Sequence, residues 1–507
     1  MIDYIDISRI NYFLINNLNV IINYDNTKKI FSYDNVIELQ VDLRSLQFHK
    51  QLATIGNING TYQIVNVANV LSYSHNADEL TINFNNDSTI INCLDEIDAE
   101  NNYNYLNFCW NNYSPLERAL QNKTAITVNL NASLSATNYH TIQDAINYIS
   151  DMASAIVTNY VHISAGTYNE HLTLKSGIDL FFEDDTFFND DTAGNTMTDN
   201  NQALLVNIYG NCSFTKSSSG YLIKLTSIES IVNFSFDKIQ CDETIAYIDT
   251  GGVTNGSILR MKGNRMISSN SSLISCDGSI DVIDIDVITC IAPAVLFGSQ
   301  KSSNQYRYFR NGHYINTGSD MIVYSDSTSG HIQQYDFVIN CMAETDGLHF
   351  LQTESLDRIT MWYSIIRVSD SGFVIEIFND NYNRTDIHNL FYVSSNADYT
   401  DGESFYHGVF TKQPITTISN GYIEGVREGN LVTLQLASIP FAQEYYIFNR
   451  EELINISQAH ELEYSVTVSK QTKDNFDRFR YRGKLNSTYS EYSNSFVPHY
   501  FKGAQLT

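Results

Sequence analysis

Proline is scarce in this 507-residue chain, with 5 residues, and glycine is modest at 25, which excludes a collagen-like chain and a flexible low-complexity one. Tryptophan occurs only twice, so 34 Tyr and 27 Phe supply nearly all of the aromatic content. Basic residues are also few: 30 Lys and Arg stand against 57 Asp and Glu, a formal net charge of -27. A field of that sign repels phosphate backbones and anionic membrane surfaces, which argues against nucleic acid and membrane as partners and for an acidic, well-solvated surface. No apolar run approaches the length of a membrane span. The opening stretch "MIDYIDISRINYFLINNLNVIINY" carries Asp3, Asp6 and interrupting Asn residues, and so lacks the basic start and continuous apolar core of a signal peptide. A protein that is assembled in a cytoplasm is the expectation.

The seven cysteines, Cys93, Cys109, Cys212, Cys241, Cys276, Cys290 and Cys341, are odd in number, widely spread and without a C-x-x-C pair. Neither a zinc site nor a disulfide framework is expected, and each reads as a small buried hydrophobe. Gly-rich phosphate loops, nucleophile elbows and metalloprotease motifs are absent as well. No cofactor is expected. Asn-x-Ser/Thr matches such as those at Asn211 and Asn233 are what chance delivers in so Asn-rich a chain.

What is present is strand. Residues 1–115 alternate apolar and polar side chains in "NLNVIINYD", "TYQIVNVANVLSY" and "ELTINFNND", with Asn, Asp and Gly between them, and read as a compact β module. A short helical piece over Leu116 to Gln121 marks a boundary. From there to about residue 400 short strands recur at roughly ten-residue spacing, as in "GIDLFF", "IVNFSFD" and "GFVIEIF", a rhythm that suits a sandwich, a barrel or a parallel β-helix. Residues 401–507 form a further β-rich module: "ITTISNGYIEGVREGNLVTLQLAS" reads as a hairpin, and "NREELINISQAHELEYSVTVSK" as a helix capped by Asn449 followed by a strand.

One stretch has a distinctive order of parts. In "YHTIQDAINYISDMASAIVTNYVHISAGTYNEHLTL", Thr141 can cap a helix, Asp144 lies near the positive end of its dipole, and Ile142, Ala145, Ile146 and Ile149 fall on one face. Short strands follow around an "AGTY" turn. This stretch resembles the entry to the right-handed parallel β-helix of the pectin-lyase-like superfamily, strongly over about 36 residues and more weakly, through the strand rhythm, to about residue 400. The resemblance implies a mostly β chain: a right-handed parallel β-helix with an N-terminal capping helix, over 116–400, flanked by the β-rich modules at 1–115 and 401–507. Turn residues such as Asn207, Asn211, Asn233 and Asn340 would then suit stacked hydrogen-bond ladders, left-handed backbone or exposed loops.

The superfamily's enzymes carry motifs that this chain lacks: the "GTVDFIFG"-like strand and "LGRPW" of the esterases, and the "NTDG", "DD", "GHG" and "RIK" succession of the polygalacturonases. The nearest acidic groups are Glu183, Asp184 and Asp185, with Asp190 and Asp191 after them. On a strand Glu183 and Asp185 would share a face, as two carboxylates flanking a sugar or holding Ca2+ must do, while Asp184 points away. These three are the catalytic candidates, against a solvated turn. His162 and His171 have no visible carboxylate or nucleophile beside them in sequence and read as surface residues. In the tail, Arg478, Arg480, Tyr481 and Arg482 form a basic and aromatic cluster that suits a protein contact, with a solvated tail as the alternative.

A β-helix without its relatives' catalytic motifs, with β modules at both ends, is similar to the fibres, spikes and decorating appendages of tailed bacteriophages. That resemblance implies a structural virion component, a homotrimer, bound to other virion proteins through its terminal modules and in contact with host-surface glycan. The alternative is a polysaccharide depolymerase, a lyase or hydrolase acting on bacterial surface glycan, whose carboxylates would need no sequence motif.

Overall fold

The structure is a computed structural model. It describes residues 7–34 less 17, 25 and 26, residues 39, 43 and 46, and 51–113, 125–130, 138–152 and 159–301 less 228, 250–255, 278, 279 and 295. It further describes 305–318, 321–327, 334–345, 349–353, 358–367 less 363, 373–377, 386–388, 391–393, 398–401, 405–407 and 411–412. In the last part it describes 423–428, 430–436, 439, 442–458, 461–468, 477–485 and 487–498. The chain divides into two compact units, one of Ile5–Tyr33 and Gln47–Gln413, the other of Met1–Tyr4, Asp34–Leu46 and Pro414–Thr507.

The larger unit is built on a parallel β-helix. Successive coils lay strands side by side: Ile231 pairs with Ile258, Ile258 with Val282, Val282 with Tyr306, Tyr306 with Tyr335 and Tyr335 with Arg358, each time in parallel. One wall is a sheet of ten parallel strands, from Leu172–Thr173 to Asp398–Asp401. Because side chains alternate across a strand, each coil sends every second residue inward, and coils in register stack those residues into rows. One row runs Ile126, Val161, Leu180, Ile208, Phe234, Met261, Ile285, Phe309, Val338 and Met361, all buried. Burial of each such side chain contributes about 1.5–3 kcal/mol before chain entropy is counted.

The neighbouring inward row is apolar at Val232, Leu259 and Ile283, then becomes ionic at Arg307 and Asp336 before returning to Ile359. Arg307 Nε and Nη2 donate to the two Asp336 oxygens at 2.5 and 2.7 Å, and Gln334 Nε2 donates to the same carboxylate at 2.8 Å. This pairing is what makes a charged row tolerable in the coil interior. All seven cysteines are free and buried, as small hydrophobes.

The helix expected in the opening motif is present as Ile142–Met152, and its Ile142, Ala145, Ile146 and Ile149 are buried in the same core. Thr141 Oγ1 accepts the Asp144 N–H at 3.1 Å, and the Glu170 carboxylate accepts those of Ile142 and Gln143 at 2.9 and 3.0 Å. An anion at a helix N-terminus satisfies donors that the helix itself leaves unpaired. Gln143 Oε1 accepts the Thr173 N–H at 2.7 Å and ties the helix to the first strand of the ten-stranded wall. The short helical piece expected at Leu116 to Gln121 lies outside the described residues.

The N-terminal module has a five-stranded antiparallel sheet (Thr27–Ser32, Asn19–Tyr24, Ile10–Asn16, Thr61–Asn66 and Leu52–Asn57 in spatial order) and a three-stranded meander over Val70–Asn92. It also contains an 18-residue helix, Glu96–Tyr113, that strand periodicity did not predict. Asp95 Oδ1 accepts the Asp98 N–H and Asp98 Oδ2 accepts the Leu94 N–H, both at 2.8 Å, a reciprocal cap. The buried face of this helix includes Asp98, Asn101, Asn102 and Asn112 beside Ala99, Tyr105, Leu106, Phe108 and Cys109, so its sequence shows no apolar stripe.

Polar atoms on that face have partners on the outer side of the coil. Arg310, from strand Gln305–Arg310, donates to Asp284 at 2.8 and 3.1 Å, to the Thr54 carbonyl at 2.7 Å and to Asn102 Oδ1 at 3.0 Å. Its guanidinium lies over the rings of Tyr105 and Tyr308, at 4.0 and 4.6 Å from their centres. Tyr105 donates to Asp286 at 2.7 Å and Tyr308 to Asp98 at 2.7 Å, while Lys262 pairs with Asp286 and reaches the Leu52 carbonyl at 3.1 Å. Burial pushes the Asp98 carboxyl up to about 6, against the hydrogen bonds from Leu94 and Tyr308. At Asp286 burial acts the same way, but the Lys262 ammonium and the hydrogen bonds from Lys262, Asn311 and Tyr105 together outweigh it, and the carboxyl is held below its ordinary range. Trp362 Nε1 donates to the Asn57 carbonyl at 3.2 Å, and its ring occupies the space that a side chain at Gly56 would need.

The smaller unit consists of antiparallel sheets. Ile423–Glu428, Leu431–Leu436 and Glu463–Thr467 form one, which contains the expected hairpin; Glu452–Gln458, Glu444–Asn449, Phe479–Leu485 and Thr488–Tyr489 form the other. The helix expected after Asn449 is instead the second strand of a hairpin, turning at Arg450 with a φ of 57°. Asn449 does not cap a helix: it accepts the Arg478 N–H at 3.1 Å and donates to Asp477 at 2.6 Å, which anchors the neighbouring strand. β-Branched Ile456, opposite Tyr446 across the hairpin, favours the strand.

Candidate functional site

The carboxylates singled out from the sequence occupy a turn. Strand Ile178–Phe182 ends before Glu183, and Asp184 and Asp185 turn the chain, Asp185 with a φ of 64°. The strand alternation expected for these three residues is therefore replaced by a corner, which Asp tolerates because its short side chain bonds locally. Glu183 Oε1 lies 2.8 Å from His162 Nε2, Oε2 accepts the Ala165 N–H at 2.9 Å, and Asp184 Oδ1 accepts from Asn211 at 2.7 Å. His162 thus has a carboxylate beside it that sequence separation concealed, and so does His171, 3.2 Å from Asp190.

Asp190 is the centre of a separate cluster of hydrogen bonds. Its oxygens accept from the Thr192 N–H and hydroxyl, the Thr196 hydroxyl and the buried Lys216 ammonium, at 3.0, 2.7, 2.5 and 3.0 Å. Burial pushes this carboxyl up, but the two threonines and Lys216 together hold it well below the usual carboxylate range. Lys216 has its remaining protons on the Thr192 carbonyl at 3.1 Å and on Ser218 at 3.3 Å. Among the described residues no three His, Cys, Asp or Glu side chains converge as metal ligands do.

The arginines singled out from the tail fall on one strand, Phe479–Leu485 with Arg478 just before it, and alternation separates them into two groups. Tyr481 faces the core, fully buried, with its ring edge-on to Tyr445 at 5.3 Å. Arg480, Arg482 and Lys484 face the other way, onto a layer of rings. Arg480 lies 3.9 Å from the centre of Tyr492, Arg482 lies 4.2 Å from Tyr489 and 5.6 Å from Phe448, and Lys484 lies 5.7 Å from Tyr446. Register brings Tyr446 opposite Arg482 and Phe448 opposite Arg480, with Ile456 and Leu453 next in the same rows. Leu453, Ile456 and Tyr489 are 44%, 49% and 40% exposed. Arg478 is exposed at the edge.

No family model, curated protein or solved structure matches the chain. What this face can do follows from its own chemistry. A cation held flat on an aromatic ring keeps its charge while presenting a broad, preorganised surface, and Arg and Tyr lead among residues that dominate protein contacts. Two carboxylates, Glu444 on Lys484 at 2.9 Å and Glu451 on Arg480 at 2.8 Å, hold the side chains in place. Hydrogen bonds to Glu444 and Tyr446 push the Lys484 ammonium up, and the Lys484 contact draws the Glu444 carboxyl down. Sequence reading missed Tyr446, Phe448, Leu453 and Ile456, although the period-two "EYYIFN" carried the signal.

Among the described residues no helix is long and apolar enough to cross a membrane.

Proposed function

We propose that the protein is a structural component of a virus particle, a fibre, spike or decorating appendage that projects its β-helix for attachment or recognition. It meets its partner through the cation-and-ring face of the C-terminal unit. The observation that carries this reading is the half-buried row of Arg480, Arg482 and Lys484 laid on Tyr492, Tyr489 and Tyr446. Glu444 and Glu451 offset Lys484 and Arg480, which leaves Arg482 on a layer of rings, and in a chain of net charge -27 such a face repels an acidic partner surface less than the rest of the exterior does. The parallel β-helix supports the reading as a stiff element whose length grows coil by coil. The resemblance to the fibres and spikes of tailed bacteriophages adds a homotrimer and a glycan-bearing host surface to the proposal.

The test is to look for the chain in purified particles at fixed stoichiometry and to determine its mass in solution. Arg480→Ala/Arg482→Ala/Tyr492→Ala is expected to lower incorporation or host attachment at least tenfold while the larger unit stays folded. A free monomer absent from every particle, or a triple variant with full incorporation and attachment, refutes the proposal.

A further inference from the structure

The outward side of the ten-stranded wall has a second feature. One outward row runs in register through Thr198, Lys224, Tyr247, Ser275 and Gly298. Tyr221 stacks on one face of Tyr247, with ring centres 4.6 Å apart and planes 13° from parallel, and the Lys224 ammonium lies 5.6 Å from the centre of the Tyr247 ring. Tyr247 donates its hydroxyl proton to Asp277 Oδ2 at 2.6 Å, which fixes the ring's orientation. In the adjacent row Asp249 and Asp277 are direct neighbours on successive strands.

Beyond Tyr247 the row falls from an aromatic ring to a hydroxymethyl group at Ser275 and to hydrogen at Gly298. Strands are about 4.8 Å apart, so these two small residues leave a gap about 10 Å long in the row before Tyr324 continues it, a slot with the second face of Tyr247 at one end. Among the described residues no ring is stacked on that second face.

We infer that this slot binds a sugar ring of an uncharged surface glycan, the C–H face of the sugar lying on Tyr247 and its hydroxyls donating to Asp249 and Asp277. An aromatic wall with a few fixed polar groups is the usual make-up of a site that orients a small polar ligand. The two carboxylates are acceptors for sugar hydroxyls, in charge-assisted hydrogen bonds. They outnumber Lys224 and sit in a chain of net charge -27, so a polymer of uronic or sialic acids is repelled. The inference deepens the recognition reading and rests on that half of the proposal, independently of the particle and of the C-terminal face.

The experiment is binding of the full-length protein to an array of bacterial-surface glycans, neutral and acidic, with three variants alongside. Tyr247→Ala removes the wall; Ser275→Tyr fills the slot from an outward position; Arg482→Ala alters only the C-terminal face. Neutral glycans are expected to be retained by the wild type and by Arg482→Ala, and to lose at least tenfold in affinity in the other two, with unchanged circular dichroism. Retention of no neutral glycan, retention of acidic glycans only, or equal affinity in Ser275→Tyr overturns the inference. Loss in Arg482→Ala alone also overturns it while leaving the C-terminal contact standing.

Discussion

Replacing Arg310 by methionine removes a side chain that bonds the coil both to the five-stranded sheet and to the Glu96–Tyr113 helix of the N-terminal module. Four hydrogen bonds go, two to Asp284 and one each to Thr54 and Asn102, together with the stacking on Tyr105 and Tyr308. The larger loss comes from what is left: the Asp284 carboxylate is buried, and stranding one partner of a buried pair costs about 3–5 kcal/mol. Arg260 lies next to Asp284 in the same row and compensates in part, so the lower end of that range, about 3 kcal/mol, is expected. Arg310→Met/Asp284→Asn removes the stranded charge and should recover about 1–2 kcal/mol of it. Urea unfolding followed by tryptophan fluorescence is a selective assay, because both tryptophans, Trp110 and Trp362, belong to the larger unit. A single variant within about 1 kcal/mol of wild type, or a double variant less stable than the single, refutes the reasoning.

Gly56→Ala should destabilise the same transition by about 1–3 kcal/mol, because its Cβ would sit 2.8 Å from two ring carbons of Trp362; an unchanged urea midpoint would count against the packing described. Asp98, raised to about 6 by burial, contributes stability that is complete below its ordinary value near 4 and is lost as pH rises through about 6. The stability difference between wild type and Asp98→Asn should accordingly shift by about 2–3 kcal/mol between pH 4 and 7.5, against the wild type at the higher pH; a flat difference contradicts the assignment. Asp190 has the opposite sign: its carboxyl is depressed, so its contribution is present above the ordinary carboxylate value and lost as pH falls through the lower folded one. Lys216→Met should raise the pH at which acid unfolding begins, and an unmoved acid midpoint by circular dichroism would refute it.

The coil was legible because its signals are local. The Thr141 cap, the Ile142, Ala145, Ile146 and Ile149 face and the recurring short strands each reflect backbone and side-chain geometry within a few residues. The helix Glu96–Tyr113 was not legible, since periodicity reports a greasy face and this helix buries asparagines against the coil. The hairpin at Asn449 was misread because a cap-like Asn and a Glu three residues on also occur in turns; the anchoring bonds to Asp477 and Arg478 come from residues nearly thirty positions away. Distance in sequence also hid the carboxylates beside His162 and His171. The slot at Tyr247 was invisible for the same reason, as it consists of what four different coils put next to one another.

The polar seam between module and coil has a reason that the apolar rows inside the coil do not supply. A coil repeats about every 4.8 Å, so a flat hydrophobic patch on its side would hold a docked module almost equally well one coil up or down. Lys262, then Asp284 and Asp286, then Arg310 lie on three successive coils, and the partners Leu52, Tyr105, Thr54 and Asn102 each meet their own coil in that set. A shift by one coil would leave buried charges facing Ile339 or Phe337, at a cost of several kcal/mol. The seam therefore sacrifices some of the stability that apolar packing would give and in return admits a single register, which is what a module fixed to a repeating scaffold requires.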